Sequence, residues 1–339
     1  MKALLMTGYG SLPDHVRLTD IPAPVLREQD VLIDVHAVSI NPIDVQIVQG
    51  ALRRIEKRHL PIIMGFDVSG TVRATGRGVR RFHVGDSVFA RSSREHLGTF
   101  AEQVALDEQW VASKPASCSH AEAASIPLVG LTTVQALIDR AQAKPGQRIL
   151  IHAGSGGVGT FAIQYAKILH LHVTTTTSSK NAEFVRQLGA DEVICYDKED
   201  YLQRGAVFDI VYDTLGDRYT REAFQVVKRG GVVVSIAGVP DKHFPQQVHA
   251  SLFLRVMMGL MSRRVFKLAE ETQASYHRFL TESNGLQLAD IAMQMETGHL
   301  RPVIDQVFAF EHISEAMTSL AAGHTRGKIV VQVKKETDV

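Results

Sequence analysis

The sequence predicts an α/β protein in two parts, a β-rich part and a doubly wound parallel sheet, and three observations carry this expectation. Its 339 residues suffice for two domains of ordinary size. As far as Ala105 the chain runs in short strands broken by Pro and Gly. From Arg148 onward, apolar strands alternate with stretches of helical periodicity, the pattern of parallel strands joined by crossover helices.

In the first part, strands are expected at Ala3–Thr7, Val31–Ser39, Gly70–Thr75, Ser87–Phe89 and Phe100–Ala105, punctuated by Pro22, Pro24, Gly50, Pro61, Gly76, Gly78 and Gly85. That reads as an irregular barrel. Ser119–Ile126 reads as a helix leading to Pro127, and Leu131–Ala141 as another bridging the two parts. Pro145-Gly146 then breaks the chain before the second part.

The second part opens with an apolar strand, Arg148–Ile151, then the turn Ala153-x-x-Gly156-x-x-Gly159, then Val158, Phe161, Ala162 and Tyr165 at helical spacing. Glycine in such a turn allows positive φ, lets a pyrophosphate approach the backbone and brings helix close to strand. The helix amino terminus offers N–H donors to phosphate. This is the opening of a Rossmann βαβ unit, although a glycine triplet alone also fits a structural turn. The following pattern favours the nucleotide reading: strands His172–Thr177, Glu192–Tyr196, Phe208–Thr214 and Val232–Ala237, with helices at Lys180–Leu188 and Arg221–Val227. A ligand would lie at the carboxyl ends of the strands, near Thr177-Ser178, Asp213–Gly216 and Ala237-Gly238.

Pro240–His249 reads as a polar loop. A helix over Leu252–Glu270 carries Met257, Met258, Leu260 and Met261, the kind of filler found in a core or a subunit interface. A last strand is expected near Tyr276–Thr281, then a helix Leu286–Glu296, an apolar run Arg301–Asp305, a helix Ile313–Ala322 and a closing strand Lys328–Val333.

A net charge of +1 argues against nucleic acid as the main partner. No apolar run approaches the roughly 20 residues of a membrane span, and Met1–Met6 enters a strand pattern with no signal-peptide character. Only Cys118 and Cys195 are present, which excludes a disulfide framework or Cys-x-x-Cys metal site and points to a reducing cytoplasm. The 15 histidines are scattered without ligand spacing.

The run Gly146–Lys167, with Gly154-Ser155-Gly156-Gly157-x-Gly159, Gln164 and Lys167, resembles the signature of the quinone oxidoreductase branch of the medium-chain dehydrogenase/reductase superfamily, the group containing zeta-crystallin. Ser39–Asp44, Gly65–Gly70, Gly85-Asp86-x-Val88, Leu131-Thr132-Thr133, Leu188–Asp191, Arg301–Asp305 and Gly327–Val331 fall in the family order. The resemblance implies a GroES-like catalytic domain built from residues 1–125 and 298–339 around a Rossmann domain, 126–297. Where zinc alcohol dehydrogenases of the same superfamily place Cys, His and Cys, this chain has Asn41, Phe66 and Val129, and Arg91–Leu97 runs directly into Gly98-Thr99-Phe100 without the four-cysteine lobe. Zinc-assisted alcohol oxidation is therefore not expected, and no metal site is assigned. The expected substrate is already electrophilic: a quinone, or an alkene conjugated to a carbonyl, that takes hydride directly.

By the same resemblance Asn41, Asp44 and Thr133 would serve the reaction, although Asn41 and Asp44 could equally cap the turn and helix that follow, and Thr133 a helix. Cofactor contacts are expected from Asn41, Thr132, Ser155, Gly156, Gly157, Val158, Thr177, Ser178, Lys180, Tyr196, Leu215, Ala237, Gly238 and Lys328. His59 and His96 read as surface histidines, and Arg53–His59 as a substrate loop without the tyrosine of some relatives. The second strand ends Thr177-Ser178-Ser179-Lys180 with no acid to receive an adenosine 2′-hydroxyl, so NADPH is expected over NADH. A homodimer is expected through Leu252–Met261 and the last strand of the parallel sheet. Other readings are an enoyl-thioester reductase, for which no basic phosphate site is identified, and a cofactor-binding structural or RNA-binding protein.

Overall fold

The computed structural model describes residues 1–53, 58–323 and 325–334. The chain groups into two units, Met1–Leu131 with Glu282–Val339, and Thr132–Thr281.

The first unit runs β1 (Lys2–Met6), β2 (Val16–Asp20), β3 (Asp30–Ile40), α1 (Pro42–Val48), β4 (Ile62–Ile63), β5 (Asp67–Thr75), β6 (Ser87–Arg91), β7 (Gln103–Asp107) and β8 (Val111–Ser113), then α2 (His120–Ala124) and α3 (Pro127–Val134). β3 is its spine, with Val31, Ile33 and Val35 fully buried at alternate positions, as a half-buried strand requires. β5 lies antiparallel along one edge of β3 from Ser39↔Asp67 to Val31↔Thr75, and β7 pairs with the first half of the other edge. The strand expected from Gly70 begins earlier, at Asp67, because this pairing carries it to the end of β3. The strand expected from Phe100 begins only at Gln103. Phe100 instead donates to Met64 O at 2.9 Å while its own carbonyl accepts from Leu4 N at 2.8 Å, leaving the main ladder for the small sheet β2-β1-β4.

The second unit follows α3 through a π-helical turn, Gln135–Arg140, into β9 (Arg148–Ile151), α4 (Gly157–Ile168), β10 (His172–Thr177), α5 (Ala182–Gln187), β11 (Glu192–Cys195), β12 (Phe208–Asp213), α6 (Asp217–Val226), β13 (Val227–Ser235), α7 (Phe244–Gln247), α8 (Leu252–Thr272) and β14 (Ser275–Arg278). Among the described residues these strands form a six-stranded sheet, β11-β10-β9-β12-β13-β14, with every pair parallel. Alternate residues feed the two faces. Ile149 and Ile151 join a core with Ala162 and Val173, whereas Leu150 joins the opposite one with Val211 and Val233.

The chain returns to the first unit as α9 (Gly285–Glu296), β15 (Ile304–Ala309), α10 (Ile313–Ala321) and β16 (Lys328–Gln332). β16 runs antiparallel to the second half of β3, with Ile329 opposite Ile40 and Gln332 opposite Ala37. This completes a sheet of seven strands among the described residues. The fold is therefore a β-rich GroES-like unit and a Rossmann unit.

Candidate active site

The turn between β9 and α4 is built for close approach. Ala153 adopts φ 53°, the left-handed conformation in which glycine would be at ease, at a cost of about 1–2 kcal/mol. A Cβ on Gly154 would come within 2.2 Å of Thr175 Oγ1, and one on Gly159 within 2.3 Å of Ala153 O, so both glycines are required by the fold itself. Gly156 differs. It sits at the amino-terminal cap of α4 with φ −80°, and a Cβ there would meet only Ala153 O, at 3.4 Å. Its missing side chain instead leaves open the ground in front of the first helical turn, where the N–H groups of Gly157 and Val158 have no intrahelical acceptor to reach. That combination fits the pyrophosphate of a dinucleotide.

One strand over, Thr177 closes β10 opposite Cys195 of β11, which brings Tyr196 beside Thr177-Ser178, with Tyr196 N donating to Thr177 O at 3.0 Å. Thr177 Oγ1 and Asn181 Nδ2 both donate to Ser155 Oγ, at 3.1 and 3.2 Å, tying this corner to the glycine turn. Tyr196 is 65% exposed and Lys180 is also exposed. The corner contains an acid that inspection of β10 alone misses: Asp197 accepts from Ser179 N at 2.8 Å and Ser179 Oγ at 2.6 Å. Its signal was the parallel register, which sets the residues just after β11 beside those just after β10.

At the carboxyl ends of β12 and β13, Leu215 is 41% exposed, Ala237 is exposed and Gly238 partly so. Thr132 Oγ1 lies 2.7 Å from Thr281 Oγ1, and Thr133 and Tyr212 are fully buried.

The other expected residues meet in the β-rich unit, in a buried polar cluster where β3 ends and α1 begins. Asn41 is fully buried. Its Nδ2 donates to Asp67 Oδ2 at 2.8 Å and its Oδ1 accepts from Lys328 Nζ. Asp67 also accepts from Ser39 Oγ and from Leu128 N, each at 2.8 Å, and lies 3.5 Å from Lys328 Nζ. Asp44 has fewer partners. Its Oδ2 accepts from Asn41 N at 2.8 Å, while its Oδ1 is buried without a hydrogen bond. Burial, reinforced by the nearby Asp67 charge, pushes the Asp44 carboxyl up to about 8 against the single backbone donor, so Asp44 holds a proton at neutral pH. Burial likewise lowers Lys328, with Asp67 and Asp44 acting in the opposite direction.

Comparison with known proteins agrees with both halves of this geometry. Residues 27–116 match the alcohol dehydrogenase GroES-like domain, and residues 188–331 a zinc-binding dehydrogenase domain. The chain is 40% identical over 340 residues to the chloroplastic quinone-oxidoreductase homolog of Spinacia oleracea, covering 98% of each chain. It is 32% identical to the chloroplastic NADPH-dependent alkenal/one oxidoreductase of Arabidopsis thaliana, covering 98% of this chain and 79% of that one. The solved quinone oxidoreductase of Coxiella burnetii superposes with a TM-score of 0.86 at 32% identity, covering 98% of this chain and 99% of that one. The chain belongs to the quinone oxidoreductase branch of the medium-chain dehydrogenase/reductase superfamily.

Asn41, Phe66 and Val129, which the resemblance sets against the ligand positions of zinc enzymes, are all buried. The Arg91 guanidinium stacks 4.9 Å above the Phe66 ring and donates to Ser92 O and Ser283 Oγ. Burial lowers Arg91 to about 10, which still leaves a cation against the Phe66 ring. His59 and His96 are exposed. Of the expected substrate loop, residues 54–57 lie outside the described residues. Asp67, Arg91 and Asp197 are candidate site residues that sequence reasoning passed over. For Asp67 the signal was an acid set beside apolar residues at the start of β5.

Proposed function

We propose that the protein is an NADPH-dependent reductase of quinones or of activated α,β-unsaturated carbonyls, working without zinc. The observation that carries this reading is the glycine turn joined to a corner holding Thr177, Ser178, Lys180 and Tyr196. When bound, the cofactor supplies the hydride. The chain's part is to hold it. Ser155, Gly156, Gly157 and Val158 present backbone donors to the pyrophosphate, and Thr177, Ser178, Lys180 and Tyr196 receive the 2′-phosphate. Thr132, Leu215, Ala237, Gly238 and Lys328 complete the cofactor contacts in this reading. It assigns Asn41, Asp44 and Thr133 to the reacting end, where Asp44 carries a proton that a reduced enone requires. The amide, phenyl and isopropyl groups of Asn41, Phe66 and Val129, with a guanidinium over the ring, offer no zinc donor set. The named activities of the plant relatives and of the Coxiella protein support the substrate class. A homodimer joined through α8 and β14 and a cytoplasmic setting, in keeping with two free cysteines, belong to the same reading.

The test is a panel of quinones, short enals and long enones against one purified sample, followed by NADPH oxidation with and without a chelator. Turnover confined to alcohols, or lost to the chelator, rejects the reading. For the cofactor, Lys180→Ala removes a charge-assisted phosphate contact of roughly 1.5–3 kcal/mol, so NADPH is expected to bind about ten- to a hundredfold more weakly while NADH hardly changes. Equal losses for both cofactors, measured by titration, would remove Lys180 from the phosphate site.

A further inference from the structure

Three strands of the parallel sheet end around one carboxylate. Asp213, the last residue of β12, is fully buried. Its Oδ1 accepts from Leu215 N at 3.0 Å and Gly216 N at 2.9 Å, which shapes the loop leading into α6. Its Oδ2 accepts from Thr220 Oγ1 at 2.5 Å, in α6, and from Ser235 Oγ at 2.8 Å, the last residue of β13. Ser235 Oγ relays the hold onward, accepting from Gly238 N at 2.7 Å and Ala237 N at 3.3 Å. From the end of β9, His152 places Nδ1 3.5 Å from Asp213 Oδ1, and its carbonyl accepts from Thr214 Oγ1 at 2.8 Å.

The loops so gathered have little room to move. Gly216 has φ 76°, and a Cβ on it would meet Ala237 O at 2.4 Å, while a Cβ on Gly238 would meet Ser235 Oγ and Thr220 Oγ1 at 2.7 Å. Burial alone would raise the Asp213 carboxyl. His152 and the donors from Thr220 and Gly216 overcome it and bring the group to about 2, so it is an anion at any working pH.

In a doubly wound sheet the dinucleotide crosses the switch point, with its adenosine on the side of the second strand. In this sheet β10 lies on one side of β9 and β12 and β13 on the other, so their loops border the nicotinamide half. We infer that Asp213 is a positioning residue for the cofactor, setting from one buried carboxylate both loops that border the nicotinamide. This rests on the NADPH reading above. A carboxylate is required because four donors converge on it. An amide of the same shape has a single acceptor oxygen and would turn its NH₂ toward groups that are themselves donating.

The experiment compares wild type with Asp213→Asn and Ser235→Ala, titrating NADPH and NADH separately and recording far-UV circular dichroism and thermal unfolding for each. The loops border a part common to both cofactors. Asp213→Asn is therefore expected to weaken both by the same factor, about ten- to a hundredfold, in a protein that still unfolds cooperatively. Ser235→Ala, which keeps the carboxylate and removes the relay to Gly238, should weaken both by about three- to tenfold. A merely structural role would lower the melting temperature and leave the affinities alone, so folded Asp213→Asn protein binding both cofactors within twofold of wild type overturns the inference. So does a loss confined to NADPH, which would place the effect at the adenosine end. Should Asp213→Asn fail to fold, Ser235→Ala decides, and affinities within twofold of wild type overturn the inference. Wild type that binds neither cofactor overturns instead the reading on which it rests.

Discussion

Asp44 and Asp67 lie in one buried cluster, yet hydrogen-bond donors are shared unequally between them. Asp67 collects Ser39, Asn41 and Leu128 with Lys328 nearby, and Asp44 has one backbone N–H. The folded protein therefore keeps a proton on Asp44 up to about pH 8, whereas an ordinary aspartate loses it near 3.8. Between those limits the native state binds the extra proton, so this group makes stability fall as pH rises and flattens the dependence above about 8. Asp44→Asn removes the effect. Relative to wild type, the variant should gain stability by about 1.4 kcal/mol per pH unit from about pH 5 to 7, read from urea denaturation at several pH values. Parallel pH curves would show that Asp44 is ionised in the native protein. The sequence made Asn41 and Asp44 visible as a pair before a helix. It could not show that Lys328 joins them, because that contact depends on β16 lying against β3.

At the scale of elements, the alternation of strand and helix from β9 to β13 was legible because buried parallel strands and amphipathic helices leave distinct periods. Strand ends were less so. β13 begins at Val227 rather than near Val232, since Val227 pairs with Phe208, and it stops at Ser235 as the chain bends onto Asp213. β2 and β8 escaped because one places Arg17 and Asp20 among its five residues and the other spans three residues. The β9–α4 turn supports a sharper experiment, because its glycines serve different ends. Gly159→Ala drives a Cβ to 2.3 Å from Ala153 O and 2.6 Å from Gly154 Cα, both backbone atoms that cannot swing aside. It should cost about 1–3 kcal/mol of stability and weaken both cofactors together. Gly156→Ala meets only a 3.4 Å contact and should melt within a degree or two of wild type while losing cofactor affinity at least tenfold. Thermal unfolding beside cofactor titration separates the two. A Gly159→Ala protein as stable as wild type would show that the turn adjusts freely.

For the whole molecule, α8 presents Leu252, Phe253, Leu260 and Met261 between 62% and 79% exposed, while Met258 is buried beneath them. Among the described residues β14 closes the parallel sheet, with β13 on one side and an open edge on the other. An apolar helix face beside an open edge is a liability for a lone chain and an asset for an isologous pair. Light scattering at micromolar concentration is expected to give a dimer, and Leu260→Glu combined with Met261→Glu a monomer. A wild-type monomer mass would count decisively against the pairing. Charge balance and length set the size and class of the protein from sequence alone, but a surface left for a second copy is visible only once the helix is placed. The link between Asn41 and Lys328 reaches across 287 positions, and the entire Rossmann unit lies between its ends. During synthesis β3 leaves the ribosome long before β16, so the edge formed by Ala37–Ile40 stays unpaired while Thr132–Thr281 is still being made. A chain halted between Thr281 and Lys328 would thus carry the whole parallel sheet while the second half of β3 still lacked its closing strand.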